Sequence, residues 1–199
     1  DFLPLSMSGY VLASCLGDQE KANEKYQKAV GLAKTSEDKA DIYLEWGDSL
    51  LAYLENPAAR AIRCQRAEHE IHCPPYDIRS LAEEVVGKYE EAARTYKEAD
   101  GDEEEHRAWL AQVYVKWGKV LAVNMRRFDD AIVKFEAAVK HDPKPAMAYV
   151  MWGDALAARR GKDDEEGARE KYLEALRQDP TNAEAYGRDR KSTRLNSSH

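Results

Sequence analysis

The segment CQRAEHEIHC, residues 64–73, places two cysteines and two histidines within ten residues. Thiolates and imidazoles are zinc-ligand types, so a metal site is the chemistry to test first. The spacing argues against it. His69 and His72 stand three apart in His-Glu-x-His, not four apart as on the helix of a zinc protease. Cys64 lies five residues before His69, which turns it off that face by roughly 140° in helical geometry. Four ligands would require the helix to unwind near Cys73 and Pro74. A structural helix surface is the expectation, with metal binding at Cys64, His69, His72 and Cys73 open as the second reading.

Two acidic tracts pose the same question. KDDEEG (162–167) lacks the alternating ligand spacing of a calcium loop, and DGDEEEH (100–106) reads as a turn with acids favouring the start of the next helix. Both are expected to be solvated. The sequence offers neither a glycine-rich phosphate loop after a strand nor a nucleophile–base arrangement. No catalytic residues and no cofactor are assigned, and the chain is not expected to be an enzyme in itself.

What remains is recognition by surface. The 199 residues are 43% hydrophobic and 34% charged, which suits a folded unit or a repeat array. A net charge of −7 argues against nucleic acid or an anionic membrane as partner. No apolar run approaches the roughly 18–20 residues of a membrane span. Eleven glycines and seven prolines give little turn signal for an all-β fold. Cys15, Cys64 and Cys73 do not make a disulfide framework, so a reduced, intracellular setting is expected, with no compartment specified. The chain opens DFLPLSMSGY without an initiator Met and is read as a piece of a longer protein.

The last eleven residues, DRKSTRLNSSH (189–199), break the preceding pattern. They resemble the translation of a common sequencing adaptor, codon for codon, and are set aside as a non-native tail. A natural basic, serine-rich tail is the alternative.

The elements that would present a binding surface are written in a repeat. Tyr-x-x-Trp-Gly-x-x-Leu occurs at Tyr43–Leu50, Tyr114–Leu121 and Tyr149–Leu156. Trp117 and Trp152 are 35 residues apart, and Trp46 and Trp117 are 71 apart, close to twice that. A second motif, Ala-x-x-x-Tyr/Phe-x-x-Ala, falls at Ala22/Tyr26/Ala29, Ala92/Tyr96/Ala99, Ala131/Phe135/Ala138 and Ala168/Tyr172/Ala175. Each motif occupies one helix face. Facing stripes of glycine and alanine let two helices approach, and the aromatics fill the gaps beside them. Asp-Pro pairs at Pro143 and Pro180 punctuate the last two copies.

These residues, most strongly GKYEEAARTYKEA (87–99) and RFDDAIVKFEAAVKHDPKPAMAYVMWGDAL (127–156), resemble tetratricopeptide repeats over about residues 2–188. The resemblance implies an all-α, right-handed superhelical solenoid of helix-turn-helix repeats, about five plus a truncated sixth. Residues 1–188 form the array, irregular around 55–86. First helices are expected at about 3–16, 37–54, 78–86, 103 onward and 143 onward. Second helices are expected at about 18–34, 57–72 and from 87 to 99. Arg159–Gly167 is read as a lengthened inner turn.

The same resemblance implies a concave side, lined by first helices, that holds a peptide or helix of a partner protein. The residues placed there are Asp41, Leu44, Asp48, Gln112, Val115, Lys119, Met147, Val150 and Asp154, beside the Trp-Gly stripe. Their acidic and apolar mixture points to a basic or amphipathic partner. Some could instead pair with one another, Lys119 with Asp154 for instance. The subgroup that clamps chaperone carboxylate termini carries Asn after the first-helix glycine. Here that place holds Tyr10, Asp48, Lys119 and Asp154, so such a clamp is not expected. A scaffold arm of a larger enzyme, its catalytic domain beyond this chain, is the alternative.

Overall fold

The computed structural model describes residues 3–12, 18–58, 78–99, 103–142, 146–161 and 163–196, and these are helical with short connections. They fall into two compact units, residues 1–101 and 102–199. The first holds α1 (Leu3–Tyr10), α2 (Gln19–Leu32), α3 (Ser36–Glu55) and α4 (Ile78–Tyr96). The second holds α5 (Glu103–Lys119), a π-helical turn (Val120–Asn124), α6 (Phe128–His141), α7 (Ala146–Arg159), α8 (Asp164–Gln178) and α9 (Ala183–Asn196). No described helix is long and apolar enough to cross a membrane.

Side-chain caps begin several of these helices. The Asp18 carboxylate accepts from the Lys21 amide ahead of α2, and the Thr35 hydroxyl accepts from the Asp38 amide ahead of α3. The Asp-Pro signals work as helix ends. Asp142 and Asp179 follow α6 and α8 in extended conformation, as a residue before proline must. The Asn182 side chain then accepts from Ala185 and opens α9.

Helices pack in sequential pairs: α1 on α2, α3 on α4, α5 on α6 and α7 on α8, with α9 laid against α8. One contact builds every pair. A Cβ placed on Gly9, Gly47, Gly118 or Gly153 would sit 2.8, 2.7, 2.6 or 2.5 Å from the ring of Tyr26, Tyr89, Phe135 or Tyr172 respectively. Those four aromatics are at most 3% exposed. The first helix is hydrogen-like at this point because a ring fills the space a side chain would need.

The pairing corrects two expected helices. Residues 78–86 are not a separate first helix; Ile78–Tyr96 is one 19-residue helix. Tyr89, rather than Tyr96, supplies the ring that meets Gly47. The partner of α3 therefore comes 42 positions after its glycine, against 17 in the α1–α2 and α5–α6 pairs. The second helix expected at about 57–72 lies outside the described residues beyond Ala58, as do Cys15, Cys64, His69, His72 and Cys73. Helix α9 runs through Asp189 into the tail segment, where Asp189 pairs with Arg169 at 3.5 Å.

The inner turn of the last pair is not fully solvated. Asp164 is 4% exposed. Arg159 donates to both its oxygens, at 2.6 and 2.9 Å, and the Gly161 amide donates as well. The same guanidinium reaches Asp129 at 2.6 Å, tying α7 to α6. The Arg159 hydrogen bonds hold the Asp164 carboxyl below its usual range, against the opposing effect of burial. A carboxyl depressed in the folded state stabilises above its unfolded pKa of about 3.9, and that stability is lost as pH falls through the folded value. Asp164→Asn is accordingly expected to lower stability by roughly 1–2 kcal/mol at neutral pH. The gap to wild type should close as the pH falls below about 4. Urea titrations of both chains from neutral to acid pH check this; a gap that stays constant would remove the carboxylate from the account.

Candidate functional site

Around each glycine–aromatic contact the helices set out a fixed group of side chains. The tryptophan before the glycine lies under a lysine from the second helix. Lys88 Nζ stands 3.5 Å from the Trp46 ring centroid, Lys134 Nζ 3.5 Å from Trp117, and Lys171 Nζ 3.8 Å from Trp152. Cation–π contacts of this kind contribute about 0.5–2 kcal/mol each. Burial lowers the pKa of Lys88. Sequence analysis missed these lysines. Their signal was that lysine precedes the aromatic each time, in Lys25-Tyr26, Lys88-Tyr89, Lys134-Phe135 and Lys171-Tyr172. The first pair has Ser8 where the others have tryptophan.

The residue after the glycine faces the tip of the aromatic. Tyr89 donates its hydroxyl to Asp48 at 2.8 Å, and Tyr172 donates to Asp154 at 2.9 Å. Burial pushes both phenols up, with the neighbouring carboxylate adding to it, so each remains a protonated donor. Asp154 is further engaged by Arg188 of α9, whose Nε and Nη2 donate at 2.6 and 3.0 Å. The alternative read from the sequence paired this aspartate with Lys119; the guanidinium hydrogen-bonded to it is that of Arg188, which the selection did not include.

In the second unit, two cavities gather most of the residues selected from sequence. Gln112, Val115 and Met147 line a space of about 410 Å³ with Ala108, Lys116 and Asp142. Lys119, Met147 and Asp154 line another of about 390 Å³ with Val123, Phe128 and Met151. Met147 is common to both and is 42% exposed. The π-helical turn supplies Ala122 and Val123 to the second cavity; such turns often occur at functional sites. Val150 does not belong to this surface. It is 1% exposed and packs with Tyr149, Ala175 and Ala185. One residue of helical offset decides the difference: Met151 faces the cavity and Val150 the core.

In the first unit, Asp41 is exposed, while Leu44 and Asp48 are half-buried. Glu45, which sequence analysis passed over, stands between the two aspartates. Its carboxyl is raised, first by burial and then by Asp48 and Asp41, with the Ser6 hydroxyl opposing. Among the described residues no group of three or more His, Cys, Asp or Glu is placed to hold a metal ion.

The recurring glycine seat, roofed tryptophan and short antiparallel pairing define a helix-turn-helix repeat protein. The sequence of the second unit carries a family match. Residues 120–183 match the family model for the tetratricopeptide repeat, about a third of the chain, in line with the resemblance read from the motifs. Solved structures similar to it include the first TPR of Spaghetti (RPAP3) bound to the HSP90 peptide SRMEEVD. That match has 22% identity and a TM-score of 0.42 over 60% of this chain and 90% of that one. YrrB, a TPR protein with an unusual peptide-binding site, matches at 19% identity and a TM-score of 0.33, over 94% and 91% of the two chains. The TPR2AB domain of yeast Sti1, in complex with pHSP90, matches at 18% identity and a TM-score of 0.39, over 97% and 86%. Similarity at this level assigns no ligand. No curated protein sequence matches the chain.

Proposed function

We propose that the chain is a protein-interaction scaffold, rather than an enzyme, and that the α5–α7 face of its second unit holds a peptide or helix of a partner protein. The observation that carries this reading is the pair of cavities sharing Met147, which gathers Gln112, Val115, Lys119 and Asp154. Tetratricopeptide repeats are protein-interaction repeats. The cavity walls supply what an anchoring side chain needs: methionines that adapt to its shape and a charged rim that orients it. A basic or amphipathic partner is the chemistry that the acidic and apolar mixture of the selected residues favours, although Arg188 already offsets the charge of Asp154.

The test is a photo-crosslinker placed at Met147 or, as control, at Val133, which is 58% exposed on α6. Met147 should trap a defined partner that Val133 does not, and Val115→Arg should abolish the product. Equal yields from both positions, or a product indifferent to Val115→Arg, would move the binding surface elsewhere.

A further inference from the structure

We infer that the second cavity, beside the π-helical turn, binds a compact, uncharged apolar molecule of about the size of a fused aromatic ring pair. The inference goes beyond the scaffold reading, because this ligand is a small molecule and not a segment of a partner protein.

The cavity, of about 390 Å³, falls in the size range of small-molecule sites. The π-helical turn, α6, α7 and the start of α9 all contribute to its walls. Phe135 lines it and is wholly buried, so the cavity reaches the ring that fills the Gly118 seat. Eight of its eleven lining residues are apolar, Lys119, Asp154 and Glu184 being the others. The π-helical turn shapes the mouth. Arg160, with a positive φ of 58°, ends α7 seven residues after Gly153, whereas Arg126, with φ 56°, comes eight residues after Gly118. The turn absorbs that extra residue. The fifth residue after the glycine is alanine in α3 and α7, Ala52 and Ala158, but here it is Val123. Val123 is 65% exposed and Met147 42%, so large apolar side chains stand open at this cavity.

The charged residues decide what the cavity accepts. Arg188 donates to Asp154 at 2.6 and 3.0 Å and to Glu184 at 3.0 Å. Tyr172 donates to Asp154 as well. Lys119 is likewise engaged within the chain. A charged ligand would have to break into these pairs. A peptide backbone would give up water for walls that are mostly apolar, at the cost of its amides. An uncharged apolar molecule meets neither penalty, and Met147 and Met151 adapt to its outline. The first cavity differs: Gln112, Lys116 and Asp142 give it the polar walls that suit a peptide.

The experiment titrates the full chain with N-phenyl-1-naphthylamine, an uncharged probe whose fluorescence rises in apolar surroundings. Two competitors of one shape then displace it: 1-naphthalenemethanol, which is neutral, and 1-naphthylmethylamine, which is protonated at neutral pH. The probe should saturate at one site per chain, with an affinity that salt barely changes. The alcohol should displace it at a concentration about tenfold or more below that needed for the ammonium. Val123→Glu, at an exposed position, and Met151→Glu should each weaken the probe by about tenfold or more. Met7→Ser on α1 and Val133→Ser on α6, both exposed, should change it by less than about twofold. Probe binding should also raise the thermal midpoint of the wild-type chain but not of Val123→Glu, which reports occupancy apart from fluorescence. Equal displacement by the ammonium, several sites per chain, or indifference to Val123→Glu overturns the inference. Loss with Met7→Ser overturns it too, and places the probe on α1. A partner trapped at Met147 without any probe binding would uphold the scaffold and overturn only the small-molecule site.

Discussion

Gly118→Leu is expected to cost about 3 kcal/mol or more of stability, while Lys119→Leu, one position on, changes it by about 0.5 kcal/mol. Three ring atoms of Phe135 lie 2.6–2.9 Å from the place a Cβ on Gly118 would take. Real carbon atoms do not approach so closely, and Phe135 is wholly buried between α5 and α6. The ring cannot turn away, so the helices must separate. Gly118→Ala should show the same conflict in smaller form, because the methyl clashes while the helix regains about 1 kcal/mol of propensity. Gly87 separates the two effects. It lies inside α4, and a Cβ there meets nothing within 4 Å. Gly87→Ala should therefore raise stability, by up to about 1 kcal/mol. Urea midpoints of the four variants check the set. If Gly118→Leu and Lys119→Leu unfold together, the glycine is not the seat of the helix pair.

The glycine seats at Gly47, Gly118 and Gly153 were legible because they are written at fixed spacing beside Trp and Leu. Tyr26, Phe135 and Tyr172 were legible for the same reason: each stands four residues after an alanine and three before another. Tyr89 breaks that pattern, with Val85 and Ala92 at those places, whereas Tyr96 satisfies it and does not fill the Gly47 seat. Pattern alone could not choose between two tyrosines seven residues, about two turns, apart. The choice is made by which ring reaches Gly47. The row of residues lining the two cavities was read to within one helical step, since the side of a helix is set by 100° increments. Met151 and Glu45 fell just outside the selection and Val150 just inside it. Asp164 was misjudged because a carboxylate in a charged run normally belongs to solvent; Arg159, five residues earlier in the chain, gives the buried carboxylate a partner.

Tyr89→Ala should cost about 3–5 kcal/mol, the range for a large buried ring, and the loss should appear in two helices separated by residues 56–77. Tyr89 is fully buried, its ring seated on Gly47 and its hydroxyl donated to Asp48 at 2.8 Å. Removing the ring leaves a cavity between α3 and α4 and takes a hydrogen bond from Asp48. Tyr89→Phe keeps the ring and forfeits only the hydrogen bond, so it should cost roughly 1–2 kcal/mol. The difference between the two variants isolates the packing contribution. Hydrogen exchange locates it. With α4 paired to α3, Tyr89→Ala should raise amide exchange in both Ser36–Glu55 and Ile78–Tyr96. Had residues 78–86 and 87–99 been two helices of their own repeat, α3 would keep its protection and only the later segment would lose it. Unchanged exchange in α3 would therefore dissolve the α3–α4 pair, and with it the assignment of Tyr89 as the ring that completes that repeat.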